Sequence, residues 1–142
     1  MHYGQIISCI ALASGAVMGL GALISPRWAS GVVRLVEDPD PARPGGYSEF
    51  RATYGGLFLM AHLSALLIAI YLPAIYAGFA ALPLALGWIG AGIGRSLSLL
   101  VDKDKNRARG LIPVWIPLEI IIGLAIGSNL IQIYATIRTF MQ

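Results

Sequence analysis

Charged side chains are scarce in this 142-residue chain, in which only 12% of residues are Asp, Glu, Lys or Arg. A soluble domain carries about 25%. By contrast, 57% of the residues are hydrophobic, and the mean hydropathy is +0.75. A water-soluble core of a chain this short cannot bury so much apolar surface. The composition therefore excludes an ordinary soluble domain and indicates an integral membrane protein.

Residues that commonly carry out chemistry are also scarce. The single cysteine, Cys9, lies in an apolar segment, which excludes an internal disulfide and a multi-cysteine metal site. We find no phosphate-binding glycine loop, no serine-elbow motif and no metal-ligand spacing. The sequence therefore predicts a protein that is not an enzyme and has no catalytic residue, metal or required cofactor. Bound lipid is expected.

Basic residues exceed acidic ones, with a net charge of +3 and a pI of about 9.3. They lie in two short segments that border apolar runs, and no polar domain carries them. A nucleic-acid-binding protein would show a basic face on a folded polar domain. The predicted partner is therefore the lipid bilayer and not nucleic acid.

Four apolar runs are long enough to cross a hydrocarbon core about 30 Å thick at about 1.5 Å per helical residue. They are residues 4–25, 49–71, 74–101 and 113–139. We interpret the first as a retained span and not a cleaved signal peptide, because no Lys or Arg precedes it. The prediction is an all-α, polytopic membrane protein, a single four-transmembrane-helix bundle over residues 1–142.

The two basic segments predict the orientation of the helices. Loops 26–48 and 102–112 with their adjoining helix ends carry eight bases, namely Arg27, Arg34, Arg43, Arg51, Lys103, Lys105, Arg107 and Arg109. The two termini and the Pro73 hairpin together carry only Arg138. Cytoplasmic loops are enriched in Lys and Arg, so both loops are predicted to be cytoplasmic and both termini extracytoplasmic, in a bacterial inner membrane.

The first loop begins either as a short amphipathic helix at the headgroups or as an irregular segment.

Two ionisable residues lie well inside the predicted spans, toward the cytoplasmic side. Arg95 and Glu119 are each about six residues, or roughly 9 Å, from that end of their span, so we expect them to pair. The predicted intramembrane polar cluster is Glu49, Arg51, Tyr54, Arg95, Ser98, Asp102 and Glu119. This cluster is either a buried ion pair that fixes helix packing or a site for a headgroup, anion or small molecule.

His62 is the one histidine within a span, because His2 is terminal. Such a residue is either hydrogen-bonded inside the bundle or an axial ligand of haem or pigment, for which small neighbours such as Ala61 and Ala65 would leave room. In the fourth span, Asn129 and Gln132 are interpreted as interhelical hydrogen-bonding residues.

Small residues spaced four apart are typical of helix contacts in lipid, where close backbone approach favours association. The predicted helix-packing residues are Gly15, Gly19, Ala61, Ala65, Ala69, Gly90, Gly94, Gly123 and Gly127. These faces serve the bundle itself, and one of them could serve a partner protein.

Several segments resemble a bacterial family of small four-helix membrane proteins known as a domain of unknown function. The similar segments are Ser-Glu-Phe-Arg-Ala-Thr-Tyr-Gly-Gly at 48–56, Gly-Arg-Ser-Leu-Ser at 94–98 with Asp102, and Glu119 in the last span. The resemblance covers most of the chain from about residue 48. The family's third loop has Asp-Gly followed by Pro, whereas Lys103 and Asp104 follow Asp102 here. The resemblance implies the four-helix fold and the polar cluster, with no established activity.

Two classes of function are consistent with these features. The first is a non-enzymatic integral membrane subunit or assembly factor, held by its glycine faces in a larger complex or in an oligomer of itself. The second is a small carrier or a lipid- or anion-binding protein that uses Arg95 and Glu119. We find no internal repeat of the kind that many transporters contain.

Overall fold

The computed structural model describes residues 2–35, 42, 46–102 and 112–141. These residues contain helices and no β-strand, so the predicted all-α class is confirmed for them. The α-helices are α1 (Tyr3–Ile24), α2 (Pro26–Val33), α3 (Tyr47–Phe50), α4 (Phe58–Tyr71), α5 (Ala74–Val101) and α6 (Ile112–Phe140). A π-helical segment, Arg51–Leu57, joins α3 to α4.

Four helical stretches of the described chain are long and apolar enough to span a membrane, which confirms the predicted number. They are Tyr3–Ile24, Tyr47–Tyr71, Ala74–Val101 and Pro113–Thr139, with hydropathies from 1.6 to 2.1. The second begins two residues before its predicted start. Its first turn is stabilised there because Oε2 of Glu49 accepts a hydrogen bond from the backbone N–H of Gly46 at 2.7 Å.

The first basic loop begins as a helix, as one of the two alternatives had it. Pro26 occupies the first turn of α2, where its fixed φ suits helix initiation. It has no N–H, and an N–H in the first turn would have no partner within the helix. The helix ends at Val33 and is followed by Arg34, which has a left-handed conformation with φ 58°. Arg43 of this loop and Lys103, Lys105, Arg107 and Arg109 of the second loop lie outside the described residues.

The chain divides into two compact units. One unit is Leu12–Ser64, and the other combines Met1–Ala11 with Ala65–Gln142. We call them the 12–64 unit and the terminal unit.

In the 12–64 unit, the second half of α1 runs antiparallel to the segment that leads into α4. A Cβ added at Gly19 would lie 2.5 Å from the backbone N of Leu59, and one at Gly55 would lie 2.8 Å from Cα of Leu23. Both distances are far below van der Waals contact, so only glycine allows these backbones to approach so closely. Near the end of α1, Ala22, Ala29 and Phe50 form a small buried core.

The π-helical segment Arg51–Leu57 lies in this same unit. At its end the N–H of Phe58 donates to the carbonyl of Thr53, five residues earlier, as well as to that of Gly55. A π-helical turn is wider than an α-helical turn and shifts every following residue around the helix axis. The segment therefore sets which face α4 turns toward α1.

In the terminal unit, α5 and α6 pack antiparallel. Gly78 faces Leu130, Gly92 faces Ile120, and Arg95 bonds to Glu119. Residues later in α5 therefore contact residues earlier in α6. A Cβ at Gly123 would lie 2.7 Å from the carbonyl oxygen of Ala85. The two backbones are therefore almost in contact at this point.

The glycines of α5 fall on two faces. Gly78 and Gly92 contact α6, whereas a Cβ added at Gly87, Gly90 or Gly94 would meet no described atom within 4 Å. Successive helical residues are rotated by about 100°, so positions two before or after Gly92 are about 200° away. Gly90 and Gly94 were predicted as packing residues, but they make no helix contact among the described residues. Gly92, between them in the sequence, contacts α6 instead.

Candidate functional site

The centre of the candidate site is an ion pair between α5 and α6. The Nε–H of Arg95 donates a hydrogen bond to Oε1 of Glu119 at 2.8 Å. Glu119 is almost fully buried, at 6% side-chain exposure, whereas Arg95 retains 34%. The carboxylate therefore lies inside the helix contact and the guanidinium reaches from it to the surface.

The contact uses only part of the hydrogen-bonding capacity of both groups. Among the described residues, the buried Oε2 of Glu119 has no hydrogen-bond partner. The pair is therefore single and not the two-pronged arrangement that arginine and a carboxylate often adopt. Within the described part of the chain, the hydrogen bond to Glu119 uses Nε–H, which leaves the four N–H donors of the two terminal amino groups.

The next polar pair on α5 lies toward its C-terminal end. Oγ of Ser98 donates to Oδ2 of Asp102 at 2.6 Å, and this bond is exposed. Arg95, Ser98 and Asp102 lie three and four residues apart, which places them along one face of the helix. The terminal unit thus brings together four of the seven residues of the predicted cluster.

The other three members, Glu49, Arg51 and Tyr54, belong to the 12–64 unit, and each has a local partner there. Glu49 caps the first turn of α3, and Nε of Arg51 donates to the carbonyl of Leu23 at 3.2 Å. Tyr54 stacks on Phe50 with ring centroids 4.7 Å apart. A single cluster that contains all seven residues stays a prediction.

His62 is fully buried, with 0% exposure. Its Nδ1 lies 2.8 Å from the carbonyl oxygen of Phe58, and its ring packs on that of Phe58 at 4.2 Å. The Nε2 edge faces Gly15, where an added Cβ would come within 2.5 Å. Iron ligation through Nε2 would therefore require α1 to move away. The geometry favours a packing histidine, and haem or pigment ligation stays a prediction.

A second group of polar residues, of which the sequence predicted only Asn129 and Gln132, lies at the other end of the terminal unit. Nε2 of Gln5 donates to the carbonyl of Ala69 at 2.7 Å. In a helix that carbonyl would accept from residue 73, but Pro73 has no N–H. Gln5 therefore supplies the donor that Pro73 removes.

The same region contains four further bonds between side chains and backbone. Oε1 of Gln132 accepts from the N–H of Gly4 at 2.6 Å, which satisfies one of the free donors at the start of α1. Ser128 donates to the carbonyl of Gly4 and Ser8 to that of Ile126, both at 2.7 Å. Asn129 donates to the carbonyl of Ala74 at 2.8 Å. The predicted hydrogen-bonding roles of Asn129 and Gln132 are confirmed, and Gln5, Ser8 and Ser128 are additions.

In the described part of the chain, no three His, Cys, Asp or Glu side chains come together as a metal-binding group. Comparisons with protein-family models, with curated proteins and with solved structures gave no match. The function is therefore inferred from the geometry of the chain's own residues.

Proposed function

We propose that this chain is a non-enzymatic integral membrane subunit, which associates with another transmembrane helix through the outer face of α5. The observation that carries the proposal is the open surface at Gly87, Gly90 and Gly94, where an added Cβ would meet nothing among the described residues. We call these three residues the outer glycine face.

The outer glycine face calls for an explanation because glycine is unfavourable inside a helix. Each one costs about 1 kcal/mol relative to alanine when nothing is gained in return. Helices in lipid gain stability from such residues where a second backbone approaches closely. The exposed residues Leu86, Ile93 and Leu97, at 58%, 61% and 56% exposure, supply apolar contacts along one edge of this face.

A second copy of this chain is the partner that we infer. A flat strip of glycines is self-complementary, so two copies of α5 can meet across a twofold axis with the same residues on both sides. In this proposal the chain crosses the bacterial inner membrane four times, with the basic loops in the cytoplasm. Four helices of sufficient length and hydropathy support such an insertion.

The experiment compares the wild-type chain with Gly90→Leu and Gly94→Leu after mild detergent extraction. Leucine favours helix more than glycine does, so any loss of association cannot come from a weaker helix. We expect the wild type to be larger than the 15.1 kDa monomer in native mass measurements, with differently tagged copies co-purifying. Both variants should release the monomer.

Ala135→Leu is the matched control, because Ala135 is an exposed small residue on α6. This variant should associate as the wild type does. A monomeric wild type, or full association of both glycine variants, would refute the proposed function. Association in which tagged copies do not co-purify would indicate a different subunit as partner and refute the second-copy assignment.

A further inference from the structure

The Arg95 guanidinium keeps donors that its contact with α6 does not use. Arginine–carboxylate pairs are frequently bidentate, with both oxygens of the carboxylate against two N–H groups of the arginine. Here one oxygen accepts from Nε, and Oε2 lies buried without a hydrogen-bond partner among the described residues. Glu119 therefore binds Nε and leaves the terminal amino groups of Arg95 available to another acceptor.

We propose that these terminal amino groups bind a phosphate group, with Glu119 as the positioning residue. The two Nη groups present parallel N–H donors with the spacing of two phosphate oxygens, a geometry that a lysine ammonium cannot offer. The arginine side chain is 34% exposed and that of its partner 6%, so a ligand can approach Arg95 more easily than Glu119.

The position of Arg95 along α5 agrees with a phosphate ligand. The helix ends at Val101, six residues later, so Arg95 lies about 9 Å from that end along the axis. An arginine side chain reaches several ångströms toward the interface while its methylene groups stay in apolar surroundings. In the proposed orientation the lipid phosphates adjoin this end of α5, and a phosphate bound to Arg95 lies below the end of the helix.

Charge balance favours a phosphodiester over free phosphate. Glu119 already neutralises Arg95, and its unpartnered oxygen lies in the same buried pair. A second negative charge on the ligand would be repelled by this carboxylate, and the repulsion is stronger away from water. A lipid phosphodiester carries one negative charge, whereas inorganic phosphate near neutral pH is partly dianionic. The lipid and inorganic phosphate both offer phosphate oxygens to the guanidinium, and the experiment below distinguishes the two ligands.

The test measures phosphatidylglycerol retained by the detergent-extracted full chain in native mass spectra. The wild type should retain about tenfold more than Arg95→Gln, the effect of losing one or two charge-assisted hydrogen bonds. Arg95→Lys, which keeps the charge but loses the two-pronged geometry, should lie between them. Arg138→Gln is the matched control, because Arg138 is an exposed arginine in the last turn of α6, and it should retain lipid as the wild type does.

A double variant keeps the proposal testable if Arg95→Gln fails to fold. Arg95→Gln with Glu119→Gln leaves no buried charge unpaired, so its fold should persist while lipid retention falls as in the single variant. Equal retention by the wild type and the double variant would overturn the proposal.

Millimolar inorganic phosphate added to the wild type distinguishes the two sources. Phosphatidylglycerol that stays bound supports a lipid site, and displacement supports a site for soluble phosphate as well. Because this readout does not depend on the outer glycine face, a monomeric chain would refute the proposed function and leave the phosphate site intact.

Discussion

Pro73 shows how a single residue at a helix end determines what distant residues must do. It ends the apolar run of α4, and it also removes the N–H that the carbonyl of Ala69 would accept within the helix. Ala69 is buried, at 1% exposure, so water does not replace that donor. Gln5, from the first turn of α1, donates instead at 2.7 Å. A tight turn in an apolar chain thus requires a polar side chain elsewhere in the sequence.

This account predicts that Gln5→Leu destabilises the protein. The substitution keeps the size of the side chain but leaves the Ala69 carbonyl buried without a donor, which costs about 1–3 kcal/mol. The free energy of unfolding, measured by titration with a denaturing detergent, should fall by that amount. The control is Ile6→Leu at the neighbouring residue, which is 42% exposed and should change little. An unchanged stability in Gln5→Leu would show that the bond contributes nothing.

At the level of single residues, the sequence predicts a hydrogen-bond partner only where two polar side chains are expected at the same depth in the membrane. Arg95 and Glu119 are each about six residues from a helix end, and the structure pairs them. Gln5 and Ser8 donate hydrogen bonds to backbone carbonyls. Every residue has a backbone carbonyl, so the sequence does not show which carbonyl accepts such a bond. Their partners follow from which helices meet, and that information is absent from a single sequence.

Helix α5 illustrates how one element divides its small residues between two purposes. Buried Ala77, Ala81 and Ala85 follow one another at helical spacing, and Ala85 lies against Gly123 and Gly127 of α6. The outer glycine face lies on the other side. Spacing of four residues identifies a face but does not say whether that face meets its own chain, so the sequence could not separate Gly92 from Gly90 and Gly94.

A pair of glycine substitutions tests this division. Gly123→Ala places a Cβ 2.7 Å from the carbonyl oxygen of Ala85, so α5 and α6 must separate. We expect a loss of about 1–3 kcal/mol, as for other overpacked contacts. Gly87→Ala meets nothing among the described residues and should gain about 0.5–1 kcal/mol from better helix propensity.

Both values are to be measured by unfolding in a detergent that keeps the chain monomeric, so that association through the outer glycine face does not contribute. Equal effects of the two substitutions would contradict the assignment of inner and outer faces.

The π-helical segment Arg51–Leu57 is the element that sequence reasoning did not predict beyond its being helical. Apolar content and length are the same for an α-helix and a π-helix, so neither reveals the extra residue in each turn. Within this segment Gly55 lies against Leu23 of α1. Helix type here depends on tertiary contact and not on local propensity.

For the whole molecule, composition was the strongest predictor. With 57% hydrophobic and 12% charged residues, the sequence allowed four apolar helices to be placed, and the described residues contain four such helices. The distribution of basic residues predicts their direction, because Lys and Arg are retained on the cytoplasmic side. Association and ligand could not be predicted in the same way, because both depend on which side chains the fold leaves exposed.

The number of crossings and the side of each loop are tested together by single-cysteine labelling. In a Cys9→Ser background, one cysteine is introduced at a time near each end of each predicted span. The sites are Tyr3, Ala42, Leu72, Asp102 and Met141, which are all exposed. Each variant is treated in intact cells with a maleimide that does not cross membranes, and labelling is repeated after lysis.

Labelling at these five positions is the most direct test of the central claim that the chain crosses the membrane four times with both termini outside the cytoplasm. Tyr3→Cys, Leu72→Cys and Met141→Cys should react in intact cells, and Ala42→Cys and Asp102→Cys only after lysis. Reaction of Ala42→Cys and Leu72→Cys from the same side of the membrane would contradict the account.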